Sequence, residues 1–241
     1  MSLFDTVKGG MQWPPPMSKA EWKISEYSAW YSGDSNILIN YYSTNPILNQ
    51  SLFWNKKANK SDIRIHVPMA GEIAESSANI LFGESPYIRT NSKTLNKQID
   101  ITLKRNEFYS KIIEAAELAA ALGGVFIKHC WNSELSDYPI PVITQPDRAI
   151  PLFKFGILDE VLFWKKIRKT ETDIYYLIER YYRGGIETKL FKGTDSSLKH
   201  EVDLSTLSET QGIAKSVIFK NKIIAAVYVP NMRPNKIDRI S

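Results

Sequence analysis

Cysteine is almost missing from this sequence. Cys130 stands alone among 241 residues, which excludes an internal disulfide framework and any cysteine-cluster zinc site and agrees with a reducing compartment. Histidine is nearly as scarce: His66, His129 and His200 are widely separated, with no H-E-x-x-H, H-x-H or carboxylate-histidine grouping beside them, so no zinc ligand set is indicated. No apolar run reaches the length of a membrane span, and the opening MSLFDTVKGGMQWPPP lacks the apolar centre of a signal peptide; the chain is expected in a cytoplasm, with no membrane partner. Glycine occurs as the doublets Gly9-Gly10, Gly123-Gly124 and Gly184-Gly185, outside any G-x-x-x-x-G-K or G-x-G-x-x-G setting, and no serine sits in a G-x-S-x-G elbow. These absences leave no catalytic, cofactor-binding or metal-binding residue to assign, and no cofactor is expected.

What is present is an ordinary globular composition, 43% hydrophobic and 12% aromatic, enough to bury a sizeable core in one or two domains. The net charge of +5 is localised. Acidic and basic side chains cancel over residues 1–214, whereas Lys215, Lys220, Lys222, Arg233, Lys236 and Arg239 face only Asp238. A positive end of this kind suits nucleic acid or an acidic partner, or is simply a solvated terminus.

The chain is organised around Ile63 to Pro86. Ile63, Ile65 and Val67 alternate with Arg64 and His66, as a strand requires, and His66 on the polar side reads as a hydrogen-bonded structural residue. Pro68 suits a first helical turn. Ala70, Ile73, Ala74, Ser77, Ala78, Ile80 and Leu81 then recur at helical spacing, Gly83 is expected to stop the helix in the left-handed conformation, and Pro86-Tyr87-Ile88 restarts an extended run. The small residues in this stripe call for a closely packed partner.

Before that stretch, residues 1–17 read as an extended arm, with Trp13-Pro14-Pro15-Pro16 of polyproline character, lying on its own domain. Ser18 to Glu21 has capping-box spacing ahead of Trp22, Ile24, Tyr27, Trp30 and Tyr31; Gly33 ends that helix, and Asp34 caps a second carrying Ile37, Leu38, Tyr41 and Tyr42. Such aromatic stripes read as core or subunit contacts. Leu52, Phe53 and Trp54 precede a basic loop with Lys56, Lys57 and Lys60. Asn91 or Ser92 can cap a helix through Leu103, and Asn106 a further one from Phe108 to Leu122, ended by Gly123-Gly124 and expected to face the helix that follows Pro68.

From Val125 the pattern changes to short runs broken by turns: Val125–Trp131, Ile140–Thr144, Ile150–Phe155, Val161–Ile167, Ile174–Tyr182, Ile186–Phe191 and Ile223–Val229, with Arg183-Gly184-Gly185 as a hairpin. Short connections favour antiparallel pairing. The fold class is therefore α+β, N-terminal helices followed by a largely antiparallel β meander. Boundaries fall at an arm of residues 1–17, a mainly helical part 18–124, a mainly β part 125–230 and a basic exit segment 231–241. His129 and Cys130 are neighbours in a strand and point to opposite faces, which argues against a thiolate-imidazole pair; Cys130 reads as a small buried hydrophobe. Asp147, Asp159, Glu160, Asp173 and Glu179 could gather to hold magnesium in a nuclease, but their spacing fits solvated strand ends.

Several of these residues form a set. Trp13-Pro14-Pro15, Trp30-Tyr31-Ser32-Gly33-Asp34, Phe53-Trp54, and above all Ile65-His66-Val67-Pro68 running into Ala74-x-x-Ser77-Ala78-x-x-Leu81-Phe82-Gly83-Glu84-x-Pro86 resemble the portal proteins of tailed bacteriophages, the subgroup typified by siphoviruses of Gram-positive bacteria. Ala121 to Phe126, Pro146-Asp147-Arg148-Ala149-x-Pro151, Ile178-Glu179-Arg180, the run from Gly185 to Gly193 and Pro230-Asn231 with Pro234-Asn235 extend the likeness over nearly the whole chain. The resemblance implies a structural part rather than an enzyme: the wing of a subunit that forms a ring, usually of about twelve copies, at a capsid vertex. Double-stranded DNA passes through such a ring. Terminase, capsid or scaffolding protein and a head-tail adaptor bind it, in the virion and, during assembly, in the host cytoplasm. It further implies that the channel-lining helices, clip and crown of a chain about twice as long would follow, so no DNA- or motor-contact residue carries over. The alternatives are a small metal-dependent nuclease built on the carboxylates above and a nucleic-acid-binding module acting through the basic tail.

Overall fold

Helical periodicity gives way to alternation near Gly123, and the structure follows it: a computed structural model describes residues 4, 7–14, 18–44, 67–132 and 136–231. The expected strand Ile63–Val67 except Val67, His66, the segment from Leu52 to Lys60, and Arg233, Lys236, Asp238 and Arg239 lie outside those residues. Among the described residues five α-helices precede nine strands, an α+β arrangement. The chain divides into two compact units, one of Lys19–Val125 with Pro230 and Asn231, the other of Phe126–Val229 with the N-terminal residues.

The helical unit contains α1 (Ser18–Ser32), α2 (Ser35–Thr44), α3 (Met69–Phe82), α4 (Lys93–Arg105) and α5 (Phe108–Leu122). Between α1 and α2, Gly33 takes φ +65°, and a Cβ there would meet the Pro68 Cβ at 2.5 Å, so both the turn and the contact demand glycine. Asp34 Oδ1 then accepts from the Asn36 amide at 2.7 Å, capping α2. Ala29, Leu38 and Tyr42 form a small core, with Trp30 Nε1 donating to the Tyr42 hydroxyl (2.9 Å) and that hydroxyl to Glu26 Oε1 (2.9 Å). The aromatic stripe is thus core in part, while Tyr27 stays 41% exposed.

α3 packs on α5, as the small residues of both require. Ala74 and Ala78 on one, and Ala115 and Ala119 on the other, are buried, which lets two backbones approach closely. Three expectations fail here. Gly83 is right-handed (φ −59°, ψ −28°) rather than left-handed; glycine is required instead because a Cβ would meet the Asn79 carbonyl oxygen at 2.6 Å. Residues 85–90 pair with no strand among the described residues, and Tyr87 is 88% exposed. Asn106 does not cap α5: it closes α4, its Nδ2 donating to the Thr102 carbonyl at 3.0 Å, and Glu107 in the left-handed region (φ 51°) makes the corner into α5. Ser92, by contrast, caps α4 through the Leu95 amide at 3.3 Å.

In the other unit, β1 (Gly124–Cys130), β2 (Ile140–Thr144) and β9 (Ala226–Pro230) form a three-stranded sheet in the order β2-β1-β9. β3 (Ala149–Lys154), β4 (Ile157–Lys169), β5 (Ile174–Tyr182), β6 (Gly185–Gly193) and β7 (Leu198–Val202) run as an antiparallel meander, and β8 (Ser216–Ile218) pairs with β6. β7 and β8 escape sequence reading because β7 is short and mostly polar and β8 has only three residues. Alternation in the meander makes two apolar faces. Leu162, Trp164, Tyr176, Ile178 and Phe191 line one, joined by Phe4, Val7 and Trp13 of the N-terminal segment; Val161, Phe163, Tyr181 and Ile186 line the other, joined by Phe126 and Ala226 of the smaller sheet. Trp13 is 1% exposed and meets Trp164 edge to face at 6.1 Å. The segment is stitched on by main-chain bonds from Gly10 N to Leu198 O (2.6 Å), Leu198 N to Met11 O (3.0 Å) and Trp13 N to Ser196 O (3.0 Å), which cover the edge of β7.

Candidate functional site

The carboxylates that could have formed a metal centre do not meet. Asp159 pairs with Lys154 and Arg183, Glu160 with Arg180, Asp173 with Lys192 and Lys199, Glu179 with Lys128, and Asp147 with Arg148. Among the described residues no three His, Cys, Asp or Glu are grouped to hold a metal ion. Their reading as solvated strand ends is corrected as well. Glu160 and Asp173 are buried, and Arg180 bridges Glu160 (2.9 Å) and Glu187 (3.1 Å). Hydrogen bonds from Lys199, Lys192 and Thr172 hold the Asp173 carboxyl well below the usual carboxylate range, whereas burial pushes Asp147 up. Asp147 Oδ1 is buried without a hydrogen-bond donor. Dispersed pairs of opposite charge fix strand register and order; they do not converge on a reacting atom.

Between the two sheets Lys128 of β1 meets Glu179 of β5, and its ammonium lies 4.9 Å from the Phe163 ring centroid and 5.5 Å from that of Tyr181, a cation held by one anion and two aromatic faces. The Tyr181 hydroxyl reaches the His129 carbonyl (3.3 Å) and Cys130 Sγ (3.5 Å). Burial first, and the Glu179 charge second, push the Tyr181 phenol far up, so it stays a neutral donor. Cys130 is therefore a half-buried polar contact rather than a buried hydrophobe. His129 and His200 are both exposed, on β1 and β7, and partial desolvation lowers the His129 pKa. Sequence reasoning missed this junction because its members come from three strands whose pairing no local pattern announces.

The helical unit presents a different surface. Ile73, Ile80 and Leu81, expected on the buried stripe of α3, are 59%, 85% and 68% exposed, next to Val67 and Met69 at 57% each. Of the stripe only Ala74 and Ala78 are buried, because close α3–α5 packing leaves no room for larger side chains. The result is an exposed apolar helix face of the type that marks association surfaces. Of the basic tail, Lys215 pairs with Asp203 at 2.6 Å.

A family model described as phage portal protein, SPP1 Gp6-like, matches residues 19–212. No curated protein matches the chain.

Proposed function

This chain belongs to the phage portal protein family, SPP1 Gp6-like, and from that premise we propose that it is a structural subunit of the ring at a capsid vertex through which phage DNA is packaged and ejected. The family match, running through both units, is the observation that carries the reading. Residues 18–124 are assigned to the helical part of the wing and 125–230 to its β part, with terminase, capsid or scaffolding protein and head-tail adaptor as partners of the assembled ring. The chemistry agrees: carboxylates spent on ion pairs suit a rigid part, and the exposed apolar side chains of α3 suit a neighbour. A ring needs heterologous contacts, in which one surface of each copy meets a different surface of the next.

Electron microscopy and native mass spectrometry of the purified protein test this. Closed rings are expected, and the double variant Ile80→Asp, Leu81→Asp is expected to release folded subunits with unchanged circular dichroism. A protein that stays monomeric at every concentration, or assembles only into open filaments, contradicts the proposal.

A further inference from the structure

We propose that the free edge of β4 is a docking site for an acidic, extended peptide from a partner protein, bound by strand addition. β3 pairs with β4 only from Ile157 to Phe163, because the Pro146–Arg148 turn ends the β3 line at Ala149. β5 covers the opposite edge of β4 out to Lys169. Trp164 to Lys169 therefore has one edge with no strand on it among the described residues.

The register says which groups that edge offers. Pro151 has no N–H, so its pair with Val161 is a non-hydrogen-bonded one. Alternation from there turns the N–H and C=O of the exposed Lys166, and of the buried Trp164, toward that edge, as far as the irregularity between Lys166 and Arg168. A crevice of about 580 Å³ is lined here by Phe163 and Trp164 of β4 and by Val142 and Ile143 of β2. Apolar walls beside an open ladder fit alternate side chains of an extended chain. A crevice of this size admits one such chain and no duplex.

Charge selects the occupant. Lys128, Arg148, Lys165 and Lys166 line the crevice against the single carboxylate of Glu179. Lys128 is engaged by Glu179 and Lys166 by Asp195. The Arg148 guanidinium lies 4.5 Å from the Trp164 ring, near Asp147 (3.3 Å). Lys165 is exposed and makes no ion pair among the described residues. A Glu or Asp side chain on an added strand would meet Lys165 on the crevice side and Arg148 at the turn. The proposal does not depend on ring formation, and a failed ring assay leaves it standing.

The test is fluorescence anisotropy with a labelled octapeptide alternating Glu and Val, added to the full chain at low salt. Saturable binding is expected, weakened by about tenfold in Lys165→Glu, and less in Lys165→Gln. A peptide carrying N-methylated valines, which cannot extend the ladder, is expected to bind no better than a scrambled Lys–Val peptide. Hydrogen exchange of the Trp164 and Lys166 amides should slow on binding. No binding, equal binding by the N-methylated peptide, an unchanged affinity in folded Lys165→Glu, or preferential binding of a short DNA duplex at the same residues would each overturn the proposal.

Discussion

The sheet core and the α3–α5 contact bury apolar side chains of different size. In the sheet unit Trp13, Tyr176, Ile178 and Leu190 are at most 1% exposed, and charged groups at its surface are tied in pairs such as Lys192 with Asp173 and Arg168 with Glu209. In the helical unit four of the five buried side chains of α3 and α5 are alanine, while Ile80 and Leu81 stand in solvent. A meander satisfies its own ladder and can bury large residues on both faces. Two short helices in close contact gain proximity from alanine, and the same proximity pushes larger apolar residues outward. Both units leave apolar side chains exposed, Phe155 and Ile218 in the one and Ile80 and Leu81 in the other, but only the sheet unit buries large residues on two faces.

The hardest blow to that contrast is Trp13→Ala. If the N-terminal segment is part of the sheet core, the change costs about 3–5 kcal/mol, as large aromatic truncations do, read from the denaturant midpoint with the indole signal of Trp164 as reporter. A loss below about 1 kcal/mol would mean that the segment only lies against the sheet. Ala78→Leu probes the other side. Overpacking at the α3–α5 contact is expected to cost about 1–3 kcal/mol, seen as an earlier loss of helical ellipticity with the sheet's aromatic circular dichroism unchanged. If the variant is neutral, the close approach of these helices is not what expels Ile80 and Leu81.

The smallest effect is a titration. The Tyr31 hydroxyl hydrogen-bonds Glu117 and is partly desolvated, and these two causes, in that order, raise its pKa to about 12. The unfolded value is roughly 10. The folded state thus favours the protonated phenol, and its contribution is whole below about pH 10 and is lost as the pH rises through about 12. Alkaline unfolding of the helical unit should be less steep in Tyr31→Phe; identical profiles would show that the α1–α5 link contributes nothing.

Much of this was legible in residue order. The helical stripes, the hairpin at Arg183-Gly184, the caps Asp34 and Ser92 and seven of the nine described strands lie close to where alternation and turn chemistry predict them. Local corners were not. The glycine at 83 answers a carbonyl oxygen rather than a dihedral angle, and Glu107 takes the left-handed conformation because two helices must meet across two residues. At the crevice, Lys165 and Lys166 are visible as a basic run, but Lys128 and Arg148 join them only through strand pairing.

What the sequence determined by itself is the alternation of element types, the absence of cysteine and histidine clusters, and the small-residue stripe that commits two helices to each other. These are properties of neighbours along the chain, and periodicity records them directly. Only the tertiary structure decided that β9 returns to pair beside β1, that Trp13 completes a core built more than a hundred residues later, and that one edge of β4 beyond Phe163 carries no strand among the described residues. Such outcomes depend on contacts between distant segments, where the energy of burial and main-chain pairing belongs to both partners and is written in neither alone.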